Sequence, residues 1–173
     1  IVGFTNISEK IHPREVMQLL SEYQTLMVDA IFANNGTVDK FIGDAVMANF
    51  GTPNTNGNDA QNAFDCALEM QEKMIEWNGA RRAKGLPEIQ HRIGIHFGPC
   101  VVGNVGSEQR IEFTVVGDAV NVASRICEAG KAIGSNFVIS ADLFERLETK
   151  QNFRPIKNFQ IRGRKEPIDL MAR

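Results

Sequence analysis

The chain has 173 residues, 43% hydrophobic and 23% charged, a balance that gives one globular domain with a full core. Its net charge of −2 excludes a general nucleic-acid binder and a polybasic membrane surface. No apolar run approaches a transmembrane length and nothing resembles a signal peptide, while Cys66, Cys100 and Cys127 lack zinc or disulfide spacing and fit reduced thiols of a cytoplasmic domain.

In chain order, Ile1 to Thr5 reads as the last half of a strand running into a turn. A strand of two residues is abnormally short, so the given sequence is expected to begin inside an element, with residues ahead of Ile1 left out. Pro13 to Phe32 carries Val16, Leu19, Leu20, Tyr23, Met27 and Ile31 at helical spacing, with proline in the first turn. Val38 to Phe50 reads as two strands folded at Gly43, with Lys40 at one shoulder and Asp44 at the other. In the second arm Val46, Ala48 and Phe50 share one face, so the arm is half buried.

Residues 51–58 form a loop. Asp59 caps a helix whose stripe runs from Ala60 through Ala63, Phe64, Ala67 and Leu68 to Met74 and Ile75, and residues 78–87 read as a polar connection. Residues 91–97 alternate as a strand, and after Gly98-Pro99 a second strand follows through Val101 and Val102. His96, on the less apolar side, is expected to be a hydrogen-bonded structural histidine. Asp118 caps a helix to about Ala129, stopped by Gly130. A strand at 137–140, a short helix at 141–148 and a hairpin at 153–171 around Arg162-Gly163-Arg164 complete the chain. This order predicts an α+β fold, a sheet covered by helices on one face, and no dinucleotide-type doubly wound sheet.

Several residues invite chemistry. A carboxylate at a turn beside buried strands, as at Asp44, suits a hard cation with oxygen ligands; otherwise Lys40 and Asp44 are solvated or paired. Gly3, Phe4 and Thr5 form a turn whose backbone N–H groups can cradle phosphate, or an ordinary strand-to-helix turn. Asn121 and Arg125 are four apart on a helix and share a face, which without further context is a solvated surface.

Three stretches line up: Ile-Val-Gly-Phe-Thr at the start, Lys-Phe-Ile-Gly-Asp at 40–44, and Val-Val-Gly-Asp-Ala-Val-Asn-Val-Ala-Ser-Arg at 115–125. With the Gly-rich segment 94–107 and Ile-Arg-Gly-Arg at 161–164, they resemble, in order and spacing, the class III nucleotidyl cyclase catalytic domains. The resemblance covers almost the whole chain. It implies a ferredoxin-like class III cyclase fold, a mainly antiparallel sheet with helices packed on it.

It also implies a site. Asp44 matches one of two metal-binding aspartates; the other is expected just before Ile1, whose carbonyl also faces a metal. Two divalent cations are implied, magnesium with manganese as an alternative. Gly3, Phe4 and Thr5 are implied at the triphosphate. Lys40, Ile42, Thr114 and Val115 are implied on the substrate side, with Lys40 and Thr114 facing the purine. Asn121 orients the ribose and Arg125 meets charge on the α-phosphate, as the implied catalytic pair. Arg162 or Arg164 reaches the terminal phosphate, and Arg162 is preferred. Guanylate cyclases typically carry glutamate at the Lys40 position, so the lysine favours ATP. The threonine resembles the subgroup that includes bicarbonate-responsive cyclases and discriminates less firmly than a carboxylate.

The expectation is therefore an adenylate cyclase domain working as a head-to-tail homodimer with shared sites. Sensor or regulatory domains are expected elsewhere in the protein, with no nucleic-acid or membrane contact by this domain. The alternatives are a guanylate cyclase, an inactive cyclase-like domain that binds nucleotide or regulates a partner, and a pure dimerisation module.

Overall fold

A computed structural model describes residues 1–150 and 152–173. A short helix, α1 (Phe4–Ser8), follows the opening turn, in which the Val2 amide donates to the Gln90 carbonyl. Helix α2 (Pro13–Ala33) matches its expected span. Proline sits in its first turn, and His12 and Glu15 close a reciprocal capping box: the His12 ring accepts from the Arg14 amide, and Glu15 accepts from the His12 amide.

The hairpin of β1 (Gly36–Ile42) and β2 (Ala45–Phe50) bends at Gly43, whose φ of 62° suits a residue without Cβ. Its Val46, Ala48 and Phe50 face packs on Ala30, Ile31 and Cys66, as the alternation predicts. The pairing register slips between Val38 and Lys40, so Asp39 is the extra residue of a bulge.

Helix α3 (Asp59–Ala83) runs well past its expected end. The polar residues read as a connection are helical and tie down the segment that follows. The Asn78 side chain donates to the Ile89 carbonyl and accepts from the Ile89 amide, both at 2.8 Å. Arg81 donates to the Pro87 carbonyl and lies over the Trp77 ring. Ile75 leaves the expected stripe and is 72% exposed, because it sits about 100° around the helix from buried Met74.

The strands after α3 differ most from expectation. β3 is short (Ile93–Ile95) and does not form a hairpin with the next strand. It pairs in parallel with β6 (Phe137–Ser140), which pairs antiparallel with β8 (Ile168–Ala172), which pairs antiparallel with β7 (Arg154–Phe159). β4 (Val101–Ser107) pairs instead with β5 (Arg110–Val116), a strand the sequence reading passed over. The strands thus fall into a four-stranded sheet and two separate hairpins, mostly antiparallel.

α4 (Asp118–Ile133) continues through Gly130 and ends at Gly134, in the left-handed region at φ 71°. Gly130 is buried where a Cβ would meet the Ser135 carbonyl at 2.5 Å, so it serves close packing and not termination. The last helix, α5 (Ala141–Phe144), is shorter than expected. The sheet is covered on both faces, which corrects the one-face expectation. Val138, Leu170 and Ala172 pack with Val122 and Ile126 of α4, while Phe137 and Ile139 pack with Phe64 and Ala67 of α3 and Leu143 of α5. The apolar run Phe137-Val138-Ile139 therefore lacks the polar alternation of a half-exposed strand. Among the described residues, no helix is long and apolar enough to cross a membrane.

Candidate active site

The β1–β2 turn carries Asp44 back to the start of the chain. Its Oδ2 accepts from the Ile1 nitrogen at 2.7 Å, and its side chain is partly exposed. Among the described residues there is no cluster of three or more His, Cys, Asp or Glu side chains able to hold one ion. The hard oxygen donors available here are Asp44 and neighbouring backbone carbonyls, which suits magnesium or manganese better than a soft metal. Beside them Gly3 adopts the left-handed region at φ 69° with open space around it. The Phe4 and Thr5 amides follow in the first turn of α1, where no intrahelical carbonyl reaches them.

At the other shoulder of β1, Lys40 and Thr114 come close through a residue that sequence reasoning missed. Asp39 projects from its bulge onto β5 with a side chain only 2% exposed. It accepts from the Thr114 hydroxyl at 2.9 and 3.0 Å and from the Val115 amide at 2.9 Å. Lys40 Nζ lies 3.6 Å from Asp39 and 3.0 Å from Glu112, which also takes Arg110 at 2.7 Å. The hydrogen bond to Glu112 raises the Lys40 pKa despite slight desolvation, and the same bond, helped by Arg110, lowers that of Glu112. An ammonium has three donors, so one remains for a ligand.

A pocket opens here, lined by Asp39, Lys40, Phe41, Arg110, Glu112 and Phe113. It offers two aromatic rings and a lysine to a flat base. A neighbouring concavity along Met17, Leu20, Val28 and Phe41 holds none of the expected site residues. Ile42 is exposed at the end of β1, and Val115 is buried, with its amide already committed to Asp39. Glu112 left a signal in the sequence, a carboxylate between Ile111 and Phe113, whereas Asp39, between Val38 and Lys40, reads as one of two solvated charges.

β5 leads through Gly117 into α4, which presents Asn121 on its exposed side and Arg125 one turn on. The Arg125 guanidinium lies against Gly163, 3.5 Å from where a Cβ would stand. The turn at 162–164 is therefore beside Arg125. Arg164 is held by Asp118 at 3.6 Å, and its carbonyl takes the Gln160 amide. Arg162 is exposed and has no hydrogen-bonded or ionic partner among the described residues.

Behind the Asp44 end is a buried layer of titratable groups. Tyr23 Oη and His91 Nδ1 are 3.3 Å apart, and His91 Nε2 has no partner among the described residues. Burial, and secondarily the Ile1 amino group, lower the His91 pKa to about 4. Burial raises those of Tyr23 and Cys127. His96 is not the hydrogen-bonded histidine expected. Its buried Nδ1 has no partner among the described residues, and burial lowers its pKa.

The α+β domain thus carries Asp44 and the Lys40 pocket on its two hairpins, with Asn121 and Arg125 on the helix that follows. The family described as "Adenylate and Guanylate cyclase catalytic domain" matches residues 1–171. Adenylate cyclase 1 of Rhizobium meliloti is 39% identical over 170 residues, covering 98% of this chain and 26% of that protein. Adenylate cyclase of Anabaena cylindrica is 39% identical over 177 residues, covering 98% of this chain and 34% of that protein. Among solved structures, the adenylyl cyclase CyaB from P. aeruginosa superposes with a TM-score of 0.89 at 30% identity, covering 99% of this chain and 88% of that one. The guanylyl cyclase Cya2 superposes at 0.87 and 34% identity, covering 99% and 86%. The chain belongs to the adenylate and guanylate cyclase catalytic-domain family, the class III cyclases. It spans about a third or less of the two curated relatives' length.

Proposed function

We propose that this domain is an adenylate cyclase that converts ATP to 3′,5′-cyclic AMP and pyrophosphate at sites shared between two copies of the chain. The observation that carries the reading is Lys40 in the pocket beside Asp39, whose carboxylate also holds the buried Thr114 hydroxyl. A lysine offers only donors, which suits adenine N1 and opposes the N1–H of guanine. Relatives of both names exist, adenylate cyclases at 39% and a guanylyl cyclase at 34% identity. Lys40 is the feature that supports ATP over GTP in this reading.

In the reaction the ribose 3′-oxygen bonds to the α-phosphorus as its proton leaves, and the bond from that phosphorus to the bridging oxygen breaks to release pyrophosphate. Asn121 holds the ribose, and Arg125 meets the charge that builds on the α-phosphate; a guanidinium fork matches phosphate oxygens. Gly3, Phe4 and Thr5 supply backbone donors to the triphosphate. Arg162 reaches its end and is preferred over Arg164, which Asp118 already holds. Ile42 and Val115 line the substrate side. Divalent cations held by Asp44 and the Ile1 carbonyl, with a second aspartate proposed ahead of Ile1, would supply activation of the attacking oxygen and neutralisation of the phosphates.

The test is product identity. The full-length protein, given ATP or GTP with magnesium or manganese, should make cyclic AMP in excess of cyclic GMP. Asp44→Ala should lower turnover by about a hundredfold or more with the fold intact. Predominant cyclic GMP would overturn the base assignment, and near-normal turnover in Asp44→Ala would overturn the metal assignment.

A further inference from the structure

We infer that Asp39 is a specificity-determining positioning residue, which turns the Thr114 hydroxyl into an obligate acceptor and so tunes the pocket to a purine bearing a 6-amino group. The inference rests on the reading that Thr114 faces the base.

A free hydroxyl both donates and accepts, so a threonine in a purine pocket tolerates either a 6-amino group or a 6-oxo group. Thr114 is not free. Both oxygens of Asp39 lie within 3.0 Å of its Oγ1. An ionised carboxylate only accepts, and the Val115 amide already donates to Oδ2 at 2.9 Å. The single hydroxyl hydrogen must therefore point at Asp39. What remains for a ligand is the lone pairs of Oγ1, which take a hydrogen from an amino group and have none to give to a carbonyl. The bulge at Asp39 is what brings the carboxylate onto β5, where its side chain is 2% exposed and a water cannot readily replace the threonine.

Asp39→Asn tests this with little change of shape. The asparagine oxygen must accept from the Val115 amide, so its NH2 donates to Thr114 Oγ1. The hydroxyl hydrogen then turns to the ligand and the polarity of the site reverses. The measurement is the ratio of kcat/KM for ATP to that for GTP, taken in the full-length protein for wild type, Asp39→Asn, Thr114→Val and the double variant. The ratio should fall about tenfold or more in Asp39→Asn, the worth of one mismatched buried hydrogen bond. It should fall less in Thr114→Val, which removes the acceptor but offers no donor. The double variant should match Thr114→Val within about twofold if Asp39 sets the ratio through the hydroxyl and not through Lys40, which it approaches to 3.6 Å.

A fall in both rates with an unmoved ratio in Asp39→Asn would mark Asp39 as merely structural and overturn the inference. So would a shift that persists in the Thr114→Val background. If Thr114→Val moves the ratio and Asp39→Asn does not, only the role of Asp39 fails. If Thr114→Val leaves the ratio unmoved, the reading of Thr114 as a base contact fails and this inference with it. Should Asp39→Asn not fold, the unaltered protein answers directly by proton NMR. A slowly exchanging Thr114 hydroxyl resonance with an Overhauser contact to the Val115 amide supports the inference; a freely exchanging hydroxyl overturns it.

Discussion

Base choice is decided by a few hydrogen-bonding atoms, and so is most directly changed by substitution. Lys40→Glu with Thr114→Cys should raise GTP use relative to ATP by one to two orders of magnitude, roughly the cost of an unpaired buried donor or acceptor. The GTP-to-ATP turnover ratio is the quantity to follow, because Glu112 would lose its lysine and the double variant would be slow with both nucleotides. An unmoved ratio would remove the main support for ATP. Lys40, Asp44 and Thr114 were picked out by the resemblance of their surrounding motifs to the class III cyclases, and their roles stand as proposals. Asp39 was not, since a carboxylate in a strand reads as a solvated polar position, and only the bulge turns it inward. His91 was equally hidden, as burial depends on the packing of α2 against the segment before β3. Its pKa, near 4 in the fold against an ordinary 6.5, gives a pH prediction. The unfolded chain takes up the proton first, so stability is full above about pH 6.5 and falls as pH drops towards 4, by about 2 kcal/mol at pH 5. Urea unfolding at pH 7 and pH 5 should show a smaller pH difference in His91→Gln than in wild type. An equal difference would mean that His91 is protonated in the native state.

Elements position these residues, and one tight joint is between β3 and α4. A Cβ on Gly94 would stand 2.3 Å from the Cys127 backbone nitrogen and 2.7 Å from its Cα. Neither partner is a side-chain end that can rotate away, so Gly94→Ala must push the helix off the strand. Overpacking of this kind costs about 1–3 kcal/mol, at times more. Because Asn121 and Arg125 ride on that helix, activity should fall further than the loss of folded protein explains. Chemical unfolding and turnover per folded molecule, measured together, check both parts; a variant as stable and active as wild type would show that the helix accommodates the methyl group. The helices and the first hairpin were legible because apolar periodicity survives in them. Where the reading slipped, long-range contacts had overridden a local cue. Gly130 looked like a helix stop but lies beneath the Ser135 carbonyl, leaving Gly134 to end α4. β5 went unread because Ile111 and Phe113 alternate on a face this chain leaves exposed, so its pattern has no core side.

Across the whole molecule, the two hairpins share this unfinished surface. Phe41 and Ile42 of β1, Val101 and Val105 of β4, and Ile111, Phe113 and Val116 of β5 are all exposed. Contiguous apolar exposure of this kind marks a partner surface, and a second copy is the occupant proposed here. A head-to-tail dimer would set the Asp44 end of one chain against Lys40, Thr114, Asn121 and Arg125 of the other. Asp44→Ala and Arg125→Ala proteins should then each be nearly inactive. Equal mixing under exchange gives half heterodimers, each with one doubly damaged site and one intact site. Activity should recover to about a quarter of wild type, since half the dimers carry one working site of two. Native mass spectrometry on the same mixture counts the heterodimers. If they form in that proportion and activity does not return, each chain builds its site alone and the shared arrangement is wrong.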